Sequence, residues 1–192
     1  YGIGNDLDKG TIQTLFSYPL KRRSILTAKL MASLGVAVLL FLGVQTFVLF
    51  VIASDIVSSY LTTLLLSYDG ILSFPLLIAG LVLTVTLILK RGSLALVAGI
   101  ILYFGFEVFS FSLLFFSISE NSDIPLKIYA IINPHFALQE YYTPGRAYPS
   151  IEWSNLWTVS FTDALLYIGA SYVLVILIFT FAYLYFERRL EI

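Results

Sequence analysis

The sequence predicts an all-α, polytopic membrane helix bundle: four transmembrane helices, a cytoplasmic interfacial helix and an external helical hairpin. Three observations lead there. The 192 residues are 59% hydrophobic and only 12% charged, whereas a soluble domain carries roughly 25% charged residues; the mean hydropathy is +0.91. Four apolar runs are each at least 20 residues long, and a helix rising ~1.5 Å per residue needs about 20 to cross a hydrocarbon core. The basic residues cluster beside these runs and fall on one side of a four-span plan. The whole chain, 1–192, reads as a single transmembrane domain.

Residues 1–29 form the polar, basic entry. Between Asp6 and Lys29 the chain reads DLDKGTIQTLFSYPLKRRSILTAK. Thr11 can cap a short helix by accepting from the free N–H groups of its first turn. Ile12, Leu15 and Phe16 stand at i, i+3 and i+4 and share one face. Pro19 ends that helix, because the residue before a proline is pushed out of the helical region. Lys21, Arg22 and Arg23 follow directly. The pattern presents an apolar stripe and three positive charges beside a span. The bland alternative is an interfacial helix with a stop-charge cluster and no partner. The chain begins Tyr1-Gly2-Ile3-Gly4, with neither a basic n-region nor an initiator Met, so no signal peptide is expected and the start suggests a missing or processed N-terminus.

The first span is expected over 30–53, with Gln45 its one strongly polar side chain. Asp55 closes it. Ile56 to Ser67 reads as a half-polar connector lying at the interface, too mixed to span. The second span is expected over 70–89, with a proline kink at Pro75 that neighbouring helices can accommodate. Lys90, Arg91 and Gly92 form a tight turn into the third span, 93–118, and so short a link forces two antiparallel neighbours. The external segment, 119–160, holds prolines, acidic residues and many aromatics. Such rings suit a membrane–water boundary. Leu126 to Ile132 and Phe136 to Tyr142 predict two short helices broken at Asn133-Pro134, a hairpin dipping into the outer leaflet; a plain surface loop is the alternative. Ser160 and Asp163 have capping-box spacing and open the fourth span, 163–186. Glu187, Arg188 and Arg189 stop it.

Charge fixes the expected orientation. Lys9, Lys21, Arg22, Arg23, Lys29, Lys90, Arg91, Arg188 and Arg189 lie on one side of a four-span chain, and only Lys127 and Arg146 lie on the other. Basic loops stay cytoplasmic, so the entry segment and the C-terminus are expected there, with the aromatic hairpin outside. A three- or five-span plan scatters the same charges.

Glu107 is the one carboxylate inside a span. It stands 14 positions after Ser93, roughly 21 Å along the helix. A charge there is costly. The functional reading is a substrate-path or gating group; the alternative is a neutral acid bonded to a neighbouring helix, or a group in an outward-open vestibule. Gln45 is the other candidate for the path, although a hydrogen bond across helices explains it more simply. Ala95 and Gly99 allow close helix approach in the third span, and Gly105 continues near that face. His135, the single histidine, reads as a surface or interfacial residue.

Several chemistries are excluded. The chain has no cysteine, so disulfides, thiolate catalysis and cysteine metal sites fall away. One histidine makes no zinc or haem cluster. No phosphate loop, G-x-S-x-G elbow or H-E-x-x-H motif is present. No metal, cofactor or catalytic residue is expected, and any ATP must be hydrolysed on another subunit. Net charge is −1, so the overall balance carries no argument for nucleic acid, and none is expected as a partner.

Gly10-Thr11-Ile12, then Leu15, Pro19, Arg22 or Arg23, Ile25-Leu26 and Lys29, resemble the cytoplasmic segment of ABC-2 type transporter permeases. Asn133-Pro134 and a last span ending in aromatics and Arg-Arg are similar to the family pattern too. The resemblance implies that the four spans correspond to the family's third to sixth, with the first two missing. It implies a coupling helix in which Thr11, Ile12, Leu15, Phe16, Tyr18 and Pro19, with Arg22 and Arg23 at the edge, dock an ATP-binding-cassette ATPase subunit. The family often has an acidic residue just before the Gly-Thr pair, a place that Asp6 or Asp8 could fill. The implied partners are that ATPase, a second permease copy or paralogue in a homo- or heterodimer, and membrane lipid. The implied function is export across the cell membrane. The alternative function is a non-transporting accessory subunit of a larger membrane complex, such as a respiratory one. An intramembrane enzyme is the weakest reading, because Glu107 has no visible companion.

Overall fold

The protein is described here from a computed structural model over residues 22–52, 54–144 and 157–189. The described residues form six helices in chain order: α1 (Arg22–Ile52), α2 (Ser54–Leu89), α3 (Gly92–Glu120), α4 (Ile124–Ile132), α5 (Pro134–Tyr142) and α6 (Phe161–Arg189). The described residues contain no strand. Four of the helices are long and apolar enough to cross a membrane, over Thr27–Val51, Ser59–Leu89, Leu96–Glu120 and Phe161–Arg188. The predicted fold class is therefore the observed one. The interfacial helix expected before residue 22 lies outside the described residues.

α2 is the central helix, and from Leu66 to Leu87 its partner is α6. Asp69 meets Tyr172, Gly80 faces Ile178 and Phe179, and Leu83 and Leu87 pack with Ala182 and Phe186. The numbers rise together on both helices, so the two run parallel. The buried positions of α6 (Ala164, Ile168, Ser171, Val175, Ala182 and Phe186) alternate steps of three and four along most of the helix, the spacing of a coiled-coil seam. Facing them on α2 are Gly80, Leu83 and Leu87. Many of these residues are small, as expected where lipid is as apolar as the protein and close backbone approach drives helix association. A Cβ on Gly80 would come within 2.9 Å of Ile178 Cγ2 and 3.3 Å of Phe179 Cε2.

The structure refines the sequence reading at two places on α2. Ile56 to Ser67 is helical on both sides of Tyr60, and from Ser59 on it belongs to a helix long and apolar enough to cross a membrane. Its hydroxyl side chains are tolerated because serine and threonine in a helix can bond back to the preceding turn, and Leu61, Leu64, Leu65 and Leu66 keep the segment apolar. The break in helical dihedrals sits at Tyr60 (φ −129°, ψ 30°), whereas Pro75 stands within the helix with its side chain exposed.

The turn from α2 to α3 is tight. Lys90 takes a positive φ of 54°, its N–H bonds Thr86 O at 2.9 Å, and Arg91 is extended at φ −133°, ψ 122°. α3 returns antiparallel against α2, with Gly99 packed on Val82. Gly105 meets nothing within 4 Å, so it belongs to a different, open face. Hydroxyls inside these spans are satisfied locally: Thr84, Thr86, Ser110 and Ser112 each donate to the carbonyl four residues back.

α3 ends in a paired cap. Asn121 is left-handed at φ 48°, the Asn121 and Ser122 N–H groups return to Ile118 O and Ser117 O, and the buried Ser117 hydroxyl donates to Ser122 O. This is the closure that turns a chain sharply out of a helix. The two short helices then stand where the sequence placed them. Asn133 (φ −129°, ψ 83°) separates them, its conformation set by the proline that follows. Its N–H closes α4 on Tyr129 O, its carbonyl accepts from Phe136 N–H, and its side-chain amide donates to the Tyr129 hydroxyl at 3.2 Å.

This hairpin carries the densest core. Leu114 of α3, Leu126, Tyr129 and Ala130 of α4, Phe136 and Ala137 of α5, and Trp157 form one buried cluster. Phe136 stacks on Trp157 with centroids 5.5 Å apart and planes 20° apart. A second cluster seats Leu138 against Ala164 and Ile168 of α6. The chain then enters α6 through the capping box: Ser160 Oγ donates to Asp163 Oδ2 at 2.6 Å, and Asp163 N–H donates back to Ser160 Oγ at 3.1 Å.

Candidate functional site

The fold gives the bundle two unlike ends. At one end, Leu30 of α1 packs on the cluster formed by Leu83, Leu87, Ala182 and Phe186. The start of α1, the Lys90-Arg91 turn and the C-terminal end of α6 therefore meet there. This is the basic end. At the other end are the hairpin, Asp69 and the start of α6.

Arg22 and Arg23 open α1 itself. The chain is thus already helical eight residues before the expected start of the span at Leu30, because Ser24, Ile25, Leu26, Thr27 and Ala28 offer nothing to break it. The basic cluster and the first span form one continuous helix of 31 residues, roughly 46 Å long. Of the predicted docking residues, Thr11, Ile12, Leu15, Phe16, Tyr18 and Pro19 lie outside the described residues; only the backbone positions of Arg22 and Arg23 are seen.

Glu107 lies midway along α3 and Gln45 toward the C-terminal end of α1, both with exposed side chains. No hydrogen bond joins either to another described residue, and the structure does not bring them together. The expected bond of Gln45 to a neighbouring helix is absent among the described residues. α1 and α3 leave broad apolar faces uncovered: Leu39, Phe47 and Val51 on the first, Phe104, Phe111 and Phe115 on the second.

Polar features that the sequence reading missed sit at the hairpin end. Tyr172 donates to Asp69, joining α6 to α2. Glu140 is buried in α5, only 3% exposed. His135, expected at the surface, is half-buried, with its Nδ1 buried and no hydrogen bond to it among the described residues. Gly70 explains that burial: the His135 backbone lies 3.4 Å from where a Cβ of Gly70 would stand. Burial holds the His135 pKa below its ordinary value of 6.5. Lys127, exposed on α4, is held above its ordinary value by its bond to Asp123 at 2.6 Å. Among the described residues, no group of three histidine, aspartate or glutamate side chains could hold a metal ion.

The described residues form a bundle with one seam between α2 and α6 and two helices, α1 and α3, with broad uncovered faces. The family model for "ABC-2 family transporter protein" matches residues 3–189, nearly the entire chain. The chain belongs to the ABC-2 family of transporter proteins. It is a multi-pass membrane protein of the permease kind. No curated protein and no solved structure matches it. Within this ABC-2 permease, the tight α2–α3 turn reverses the chain, the Asn133-Pro134 break separates two capped helices, and the aromatic, basic close of α6 completes the basic end.

Proposed function

We propose that this permease exports a substrate across the cell membrane, driven by ATP hydrolysis on a separate ATP-binding-cassette subunit. The observation that supports this reading most is the continuity of α1 from Arg22 to Ile52. A force applied to a cytosolic foot just before Arg22 would travel along one rigid rod into the bilayer. The basic end faces the cytoplasm by the positive-inside rule, which puts that foot and the C-terminus beside a cytosolic ATPase and the hairpin outside. The foot is the helix carrying Thr11, Ile12, Leu15, Phe16, Tyr18 and Pro19, flanked by Arg22 and Arg23. The uncovered faces of α1 and α3 fit a path shared with a second permease, identical or paralogous, and Glu107 and Gln45 are the polar groups on those faces. The chain itself is not catalytic.

Double replacement Leu15→Ala and Phe16→Ala tests the reading. The protein should still insert and assemble, and ATP hydrolysis by the complex should no longer drive transport. Coupling equal to that of the unmodified permease would refute the docking role.

A further inference from the structure

Glu107 does not stand alone on its face of α3. Tyr103, Phe104 and Phe111 are four before, three before and four after it, which puts all three rings on the same side of the helix. They are 48%, 63% and 65% exposed. The rings form an ordered group: Tyr103 meets Phe104 edge-on at 5.7 Å and Phe74 of α2 at 6.3 Å, and Phe74 meets Phe106 edge-on at 6.2 Å. A carboxylate in mid-span is therefore set into an exposed wall of aromatic rings. Hydrocarbon cannot cover that charge without a cost of several kcal/mol, and a cation seated on this face would relieve that cost.

The four spans seen here do not supply it: α3 carries no Lys or Arg, and neither does any span between Leu30 and Phe186 outside the Lys90-Arg91 turn and the hairpin. The same four spans in a second copy would bring only further carboxylates. A hard metal cation is also badly served, since it needs six or more oxygens. The Glu107 carboxylate offers it two. A cation whose charge is wrapped in carbon meets both demands: the carboxylate neutralises it, and ring faces attract it.

We propose that the Glu107 face is a binding site for lipophilic cations, and that such compounds are the substrate class of this permease. The proposal rests on the permease reading above. Glu107 would neutralise the cationic centre, and Tyr103, Phe104 and Phe111 would contact its apolar body.

The test uses the permease complex isolated from its host membranes and placed in nanodiscs. The probes are tetraphenylphosphonium and tetraphenylborate, equal in shape and opposite in charge. The unmodified complex should bind the phosphonium saturably and the borate not. Glu107→Gln should weaken phosphonium binding about tenfold or more, Glu107→Asp should keep most of it, and Phe111→Ala should lower it in between. Equal binding of the two probes, or an unchanged phosphonium affinity in Glu107→Gln, would overturn the proposal. So would loss of complex assembly in Glu107→Gln, which would mean that a basic residue of another subunit pairs with Glu107. Failure of the permease reading shows separately, as a complex that contains no ATPase.

Discussion

The Tyr172 hydroxyl donates to Asp69 Oδ1 at 2.7 Å, with the Asp69 carbonyl oxygen 3.1 Å away, and so ties α6 to α2 across 103 positions of sequence. The bond stands at the hairpin end of the parallel seam, just where α5 crosses α2 at Gly70. Tyr172→Phe keeps the ring and removes the donor. The expected loss is about 1 kcal/mol, near the low end for a bond to a carboxylate because the site is partly open to solvent. Thermal unfolding of the purified protein should shift down, and Asp69→Asn, which keeps an acceptor, should shift it less. Equal midpoints for Tyr172→Phe and the unmodified protein would show the bond to be dispensable.

That bond also marks the boundary of what the sequence discloses. The spans are legible because 20 or more apolar residues in a row have few alternatives. The hairpin is legible because Asn133-Pro134 must interrupt a helix, and the entry to α6 because Ser160 and Asp163 satisfy each other within one turn. These are local signals. The parallel pairing of α2 with α6 is not local. Ser73, Ser171, Ala164 and Ala182 are buried completely, yet in an apolar run a small residue facing a neighbour reads like one facing lipid. The helicity of Ile56 to Ser67 is hidden for a related reason: its hydroxyls count as polar on any scale, and a helix can satisfy them internally. The docking residues before Arg22 rest on resemblance, while Glu107 is visible in the sequence as a charge out of place; its aromatic setting emerges only when the face of α3 is seen uncovered.

His135 gives the hairpin a pH dependence of definite sign. Burial lowers its folded-state pKa below 6.5, so the folded hairpin prefers the neutral ring. The unfolded chain binds the proton more readily, and stability rises with pH wherever that holds. His135 therefore contributes stability that is present above pH 6.5 and is lost as the pH falls through the lowered folded-state value. It is the single histidine of the chain, which makes the assignment clean. Hydrogen exchange over residues 124–142 should quicken between pH 7.5 and 5 beyond its intrinsic pH trend, and His135→Gln should remove that excess. An excess that persists in His135→Gln would place its origin elsewhere.

The stack of Phe136 on Trp157 is the most telling point in the hairpin core, because it closes contacts from both sides. Tyr129 lies 4.9 Å from Phe136, and Tyr167 of α6 lies 5.8 Å from Trp157. The rings thus run from α4 through α5 to α6 without a gap. Phe136 is 2% exposed and Trp157 7%, so neither can be truncated without leaving a void. Phe136→Ala should cost about 3 kcal/mol or more, the usual loss for a buried aromatic ring. Trp157 reports on it directly. In a Trp153→Phe background it is the only tryptophan left, and its emission should move to longer wavelength when Phe136 is removed. Phe136→Leu should restore part of the stability and part of the emission, since it refills much of the volume without the stack. An unchanged spectrum in Phe136→Ala would mean that the hairpin is held to the bundle through Leu138, Ala164 and Ile168 rather than through its rings.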